Sequence, residues 1–327
     1  MIQGLIGILL AAFLAHPLLA AGEPAEAPSD QTTLLLKMQA AARELDYAGI
    51  YTYQQGVMMM SSRVVHMIDG TGEREHIEIL DGAPREFIRH NDMIQTLLPD
   101  RKLIVIEQRV GQRFPSLLLG DGRQVTRHYD VIVTDQPERV AGRDCTLVAL
   151  KPHDVYRYGH MLCIDSKSHL LLKAQTVSAA NEIIDQVAFS TLIMGEDVAK
   201  ERISTTWDTA KWRIVETSMS EVDLAEKGWR IPRPPGFDII TQVSRSLRRD
   251  AHVNQLVLSD GLAAISVFVE PYDPGHHAKS DQGGIHKGTL NVFRKRIGDY
   301  WLTALGQVPA DTLRSIAEHV EYVPLAR

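Results

Sequence analysis

Three observations on this 327-residue chain predict a mostly β protein of the α+β class, with an antiparallel sheet in its first half and a smaller α+β unit in its second. After Gly49, short runs of β-branched, aromatic and alternating residues recur, separated by turn dipeptides. No helical period falls between those runs, which argues for an antiparallel meander and against a parallel α/β sheet. Apolar residues at helical spacing stand only ahead of the series and near the end of the chain.

The elements follow in order. Residues 4–15, GLIGILLAAFLA, are an unbroken apolar stretch. Spanning a bilayer core takes about 20 helical residues, so this stretch reads as the core of a cleavable export signal over residues 1–21. No Lys or Arg precedes it, and Leu18 or Leu19 stands where a small residue is preferred; an uncleaved membrane anchor or a buried helix is the other reading. A Pro/Ala/Ser linker covers 22–31. In TTLLLKMQAAARELD, Leu34, Leu35, Met38, Ala42 and Leu45 share a helical face, with Asp30 or Thr32 to cap it. Strands are expected in GIYTYQQ, SRVVHMID, REHIEIL, REFIRH, MIQTLL, KLIVIEQR, DCTLVAL, HMLCID, HLLLKAQTV and EIIDQVAF. Turns fall at Asp69-Gly70, Asp81-Gly82 and Asp121-Gly122. These make a sheet domain over 32–199. A polar stretch, 200–227, links it to a second domain over 228–327, opened by GWRIPRPPGF. There, hairpins turn at Asp260-Gly261 and Gly298-Asp299. A last helix after Pro309 puts Leu313, Ile316, Ala317 and Val320 on one face.

A long antiparallel sheet twists and curls, and one that curls around a helix without closing has a concave apolar side. Met58, Met59, Met60, Leu97, Leu98, Leu117 and Leu118 are the candidates to line such a hollow, methionine being suited to surfaces that accept varied shapes. For any one of them, ordinary core is the plainer reading. Cys145 and Cys163, the only cysteines, lie in adjacent strand-like runs. In an oxidising compartment an even count points to a bridge, worth about 3 kcal/mol for a loop of this size; two buried free thiols are the alternative.

The chemistry-bearing patterns are few. A net charge of −6 gives no field for a phosphate backbone, so nucleic-acid binding is disfavoured. There is no Gly-x-Ser-x-Gly, no P-loop and no Cys-x-x-Cys. His276, His277 and His286 form the densest histidine cluster, but a flexible surface loop explains them better than a metal site. Neither a cofactor nor a catalytic centre is expected.

The order of several motifs resembles the MucB/RseB family of periplasmic sigma-E regulatory proteins. LLLKMQAAARELDYAGIYTYQQG carries a helix running into Tyr47, Gly49 and Tyr51. It is followed by SRVVHMIDGTGEREHIEILDGAPREFIRHND, by RYGHMLCIDSKSHLLLKAQTV, by GWRIPRPPGFDII and by HKGTLNVFRKRIGDYWLTALGQVP. The resemblance implies a periplasmic regulator whose N-terminal domain is similar to the lipoprotein carriers LolA and LolB. It would bind the periplasmic domain of a membrane-bound anti-sigma factor, shield it from proteolysis, and release it when lipopolysaccharide or an acylated lipid or lipoprotein is bound. In this scheme the first-domain hollow takes lipid, and the second domain with the interdomain cleft holds the partner. Arg245, Arg248 and Arg249 are candidates to meet an acidic partner helix, although a solvated strand end is their plainer reading. A homo-oligomer is left open. A lipid or lipoprotein carrier is the alternative function, and an exported hydrolase a more distant one.

Overall fold

A computed structural model describes residues 29–324 apart from 109–113, 116, 119–122, 202, 249–250 and 278–281. The expected export signal and most of the linker after it lie outside the described residues, as does the turn at Asp121-Gly122. Among the described residues no helix is long and apolar enough to cross a membrane.

Helix α1 (Asp30–Glu44) buries Leu35, Met38, Ala41 and Ala42 on one side. Its cap is Ser29, one residue before Asp30 and three before Thr32, the two expected caps, and the Ser29 hydroxyl accepts the Thr32 amide at 3.2 Å. The chain then forms β1 (Tyr47–Gln55), β2 (Met58–Asp69), β3 (Gly72–Ile79), β4 (Arg85–His90), β5 (Met93–Leu98) and β6 (Leu103–Gln108) as a run of antiparallel neighbours. After the one-turn helix α2 (Val125–His128) come β7 (Tyr129–Val140), β8 (Arg143–Pro152), β9 (Gly159–Asp165), β10 (Leu171–Val177) and β11 (Ile183–Met194). Strand β11 returns to pair with β1 and, with β12 (Arg213–Glu216) at one edge, the described residues form one twelve-stranded sheet ordered β12-β6-β5-β4-β3-β2-β1-β11-β10-β9-β8-β7. The sheet curls far enough that β7, at one edge, touches α1 and β11.

At the start of β1 each residue has a definite task. Tyr47 is buried, donates to the Ala42 carbonyl at 3.2 Å and stacks on His66 at 4.6 Å, tying helix to sheet. Gly49 lies where β11 bulges, and a Cβ there would sit 2.1 Å from the Thr191 carbonyl oxygen, so only glycine fits. Cys145 and Cys163 are bridged, their Cα atoms 5.4 Å apart. Cys163 pairs with Leu147 on β8, so the cysteines are diagonal neighbours across the β8–β9 ladder.

The stretch read as a linker joins the two sheets. Strand β12 (Arg213–Glu216) pairs parallel with β6 on the edge of the first sheet, and β13 (Met219–Glu221) pairs antiparallel with β15 (Asp238–Arg248) in the second. Between β13 and β15 in the chain lies β14 (Trp229–Arg230), which pairs with β21 (Glu321–Tyr322). The remaining strands are β16 (Ala251–Ser259), β17 (Ala264–Pro271), β18 (Gly283–Lys287), β19 (Leu290–Ile297) and β20 (Tyr300–Gly306), with the short helix α3 (Pro274–His277) between β17 and β18. The second sheet runs β13-β15-β16-β17-β20-β19-β18. Helix α4 (Ala310–His319) covers it with Leu313, Ile316 and Ala317, and Val320 just beyond, as its spacing predicts.

Candidate functional site

Two of the motifs singled out in the sequence meet at the seam between the domains. Arg157, of the Arg157-Tyr158-Gly159 motif, has a fully buried side chain. Its Nη1 donates to Asp260 Oδ2 at 2.7 Å, its Nη2 to the Pro235 carbonyl at 2.6 Å and its Nε to Asp154 Oδ1 at 3.0 Å. The guanidinium also lies 4.8 Å from the Phe237 ring. Pro235 and Phe237 belong to the Pro-rich opening of the second domain, so that motif serves as the receiver of a first-domain cation. Asp260 is equally buried and takes a second hydrogen bond from the Tyr129 hydroxyl at 3.1 Å. Burial, followed by the Asp260 charge, pushes the Tyr129 phenol well up, which keeps it a donor.

Asp260 opens the β16–β17 turn. Its Oδ1 accepts the amides of Leu262 and Ala263 at 2.9 and 2.7 Å, and the Ser259 hydroxyl closes on the Ala263 carbonyl at 2.8 Å. Gly261, at φ +97°, faces Gln124 and Val125 around α2. Leu262, the tip of this turn, packs into the first domain's core together with Phe114, Leu118, Val125 and Tyr129, not into its own domain's core. A second tie joins the domains further along the seam. Asp185 Oδ2 accepts from Thr289 Oγ1 at 2.5 Å and from the Tyr53 hydroxyl at 2.9 Å, while Asn291 Nδ2 donates to the Tyr158 hydroxyl at 3.1 Å. Burial and the Asp185 charge hold the Tyr53 phenol up at about 12.

Two clefts flank the seam. One, of about 470 Å³, is lined by the ends of β8, β9 and β10 and by Pro309, with Leu150, Tyr158, His160, Met161 and Val177 among its walls. His160 Nε2 is buried there with no hydrogen-bond partner among the described residues, and burial pushes the imidazole pKa down to about 4. The other, of about 500 Å³, lies between β4, β5 and β6 and the β12–β13 crossing, lined by Ile88, Met93, Ile106 and Met219. The clefts thus offer apolar contact beside a rim of charge.

The seven hollow candidates do not converge on one cavity. Adjacent residues on a strand face opposite sides, and the pairing carried from Ala48 through Val65, His76, Ile88 and Gln95 puts Leu97 on the outer face, where it is buried. Leu98 has the inner parity. Met58 and Met60 share the inner parity of Tyr53, while Met59 points outward and is 62% exposed. Leu118 is fully buried core with Leu117 against it. The inner side is filled by α1, by Leu262 and by an aromatic trio in which Phe114 lies 5.3 Å from Tyr51 and 5.1 Å from Phe189. Among the described residues these groups occupy the inner side where they lie, while Met60, of the same parity, stays 37% exposed.

The expectation for Arg245 is corrected: it is not an exposed cation, because its side chain is only 16% exposed and its Nη1 lies 3.6 Å from Glu107 on β6. The backbone of Arg248 ends β15, and Arg249 lies outside the described residues. His276 and His277 lie on the short helix α3. His277 is buried between the rings of Tyr272 and Trp301, 5.6 and 5.1 Å away. His286 falls on β18. Among the described residues no group of three or more His, Cys, Asp or Glu side chains is placed to hold a metal. Sequence reasoning missed Asp260, Asp185 and Leu262 as seam residues; the one signal available was an Asp-Gly turn followed by a leucine.

Comparison with known proteins accounts for both domains. The MucB/RseB N-terminal domain matches residues 30–207 and the MucB/RseB C-terminal domain matches residues 223–321. The chain is 26% identical over 305 residues to the sigma factor AlgU regulatory protein MucB of Pseudomonas aeruginosa, covering 90% of this chain and 92% of the relative. It is 23% identical over 298 residues to the sigma-E factor regulatory protein RseB of Escherichia coli, covering 88% and 90%. Among solved structures, MucB in complex with MucA(peri) matches with a TM-score of 0.65 at 26% identity over 91% of this chain and 100% of that one. The Pseudomonas aeruginosa MucA/MucB complex matches with a TM-score of 0.67 at 25% identity and the same coverage.

Proposed function

The chain belongs to the MucB/RseB family, and on that premise we propose that it is an exported regulator that binds the periplasmic region of a membrane-bound anti-sigma factor. The bound segment lies along the clefts beside the domain seam and is there protected from proteolysis. Lipopolysaccharide or another acylated molecule, taken up by the first domain, releases it. The observation that carries this reading is the agreement of the whole two-domain frame with MucB as crystallised with MucA. The clefts supply what an extended segment needs: apolar walls for its side chains, and charged residues at their rims such as Lys151 and Asp154 in one and Glu107 in the other.

The energetics allow release. Burying an acyl methylene contributes about 0.8 kcal/mol, so a partly inserted chain can outweigh a modest protein interface. It does so only if it binds the partner-free state better than the partner-bound one. Pull-down of the anti-sigma periplasmic region with the purified chain, with and without lipopolysaccharide, tests the proposal. Recovery that falls on adding lipopolysaccharide is expected. No recovery in either condition would sink partner binding, and equal recovery in both would sink ligand-driven release.

A further inference from the structure

We infer that the β16–β17 turn of the second domain is a plug seated in the acyl-chain site of the first, so that filling that site and docking the two domains exclude one another. The inference rests on the lipid-responsive half of the function proposed above and adds where the chain goes and what it must displace. Among the described residues, Leu262 is the one buried side chain of the second domain that belongs to the first domain's core, where it lies with Phe114, Leu118 and Val125. Of these neighbours Val125 lies on α2, and Phe114 and Leu118 precede it in the chain; none of the three belongs to a strand of the sheet. Apolar space at the mouth of the curled sheet is therefore filled by pieces that are not part of its wall.

The turn is preformed. Asp260 and Ser259 satisfy its amides and carbonyl internally, so it can leave the core as a rigid unit without exposing unpaired backbone. What leaves with it is the Arg157–Asp260 pair and the Tyr129 hydrogen bond, two of the ties across the seam. An apolar chain taking Leu262's place thus acts on the same residues that set the relation of the two domains and the width of the clefts between them. A ligand that competes with a docked element shifts the equilibrium by its differential affinity for the undocked state.

The test uses the full mature chain, a pyrene-labelled hexadecanoate as probe, and spin labels on exposed Met59 and Arg230 to read the distance between domains. Leu262→Ala empties the plug, and Thr289→Val loosens the seam while leaving the plug intact. Both are expected to bind the probe more tightly than wild type, by roughly tenfold for Leu262→Ala, and in wild type the probe is expected to lengthen the distance between labels. Should Leu262→Ala fail to fold, Thr289→Val carries the same comparison. Equal probe affinity in all three chains, with the distance unchanged at saturation, would overturn the plug while leaving lipid binding in place. Absence of probe binding in every chain would overturn the plug and the lipid-responsive reading together, but not partner binding, which the pull-down reads separately.

Discussion

The second domain closes its core with its own helix: Leu313, Ile316 and Ala317 of α4 share one buried cluster with Leu256, Ile265, Val267, Leu302 and Ala304 of its sheet. The first domain has more sheet and less to cover it. Its α1 supplies Leu35, Met38, Ala41 and Ala42, and the remainder comes from the segment around Phe114 and Leu118 and from Leu262 of the other domain. The difference teaches that the small domain is self-contained while the large one is completed by its neighbour, so perturbations at the seam should fall unequally on the two.

The largest expected effect comes from breaking the buried pair that holds the completing turn. Asp260→Ala leaves Arg157 charged and buried without its main partner, which costs about 3–5 kcal/mol. Calorimetry is expected to show both domains melting earlier, the second because its β16–β17 turn loses the Asp260 Oδ1 bonds to Leu262 and Ala263 and the first because it loses the turn that completes its core; a first-domain transition at the wild-type temperature would remove the seam as a source of that domain's stability. Reducing the Cys145–Cys163 bridge, which closes a separation of 18 residues wholly within the first domain, should lower that domain's stability by about 3 kcal/mol. If the second domain's transition moved as far, the two cores would not be separable in this way.

A third effect sharpens the comparison through pH. Burial holds His160 at about 4, below the ordinary value of 6.5. Between those values the unfolded chain binds a proton that the folded chain does not, so this contribution is intact above pH 6.5 and is lost as pH falls toward 4. The loss is on the order of 2–3 kcal/mol over that window. His160→Phe should flatten the acid limb of the first-domain melting curve, and an unchanged limb would mean that the imidazole protonates freely in the folded state. The smallest effect is expected at Arg245. Its pairing with Glu107 is partly exposed and 3.6 Å long, so Arg245→Ala should cost less than about 1 kcal/mol, with the difference shrinking in high salt.

Much of this fold was legible because its signals are local. Asp69-Gly70, Asp260-Gly261 and Gly298-Asp299 turn the hairpins they were expected to turn, and the apolar spacing of α4 matches its buried face. Strand β7 was not read, because Asp135, Gln136, Pro137 and Glu138 interrupt it and much of this edge strand is exposed, leaving no alternation to see. Strands β12 and β13 were hidden for a related reason: they are short, largely exposed edge strands whose existence depends on the sheet beside them. The site was less legible than the fold. Parity separates Leu97 from Leu98 and Met59 from its neighbours once a register exists, and composition holds no register. Leu262 looks like any turn leucine until the chain brings it to Val125, which stands 137 positions earlier in the sequence.

The crossing from β12 to β13 has a mechanical consequence. Only Thr217 and Ser218 separate the strand stitched to one sheet from the strand stitched to the other, and two extended residues reach about 7 Å. The halves are therefore leaves on a short leather strap: they can swing apart on the side where Asp260 sits, but they cannot drift away from each other. Undocking takes the form of a jaw opening about that strap, and whatever lies between the leaves is gripped or let go by rotation.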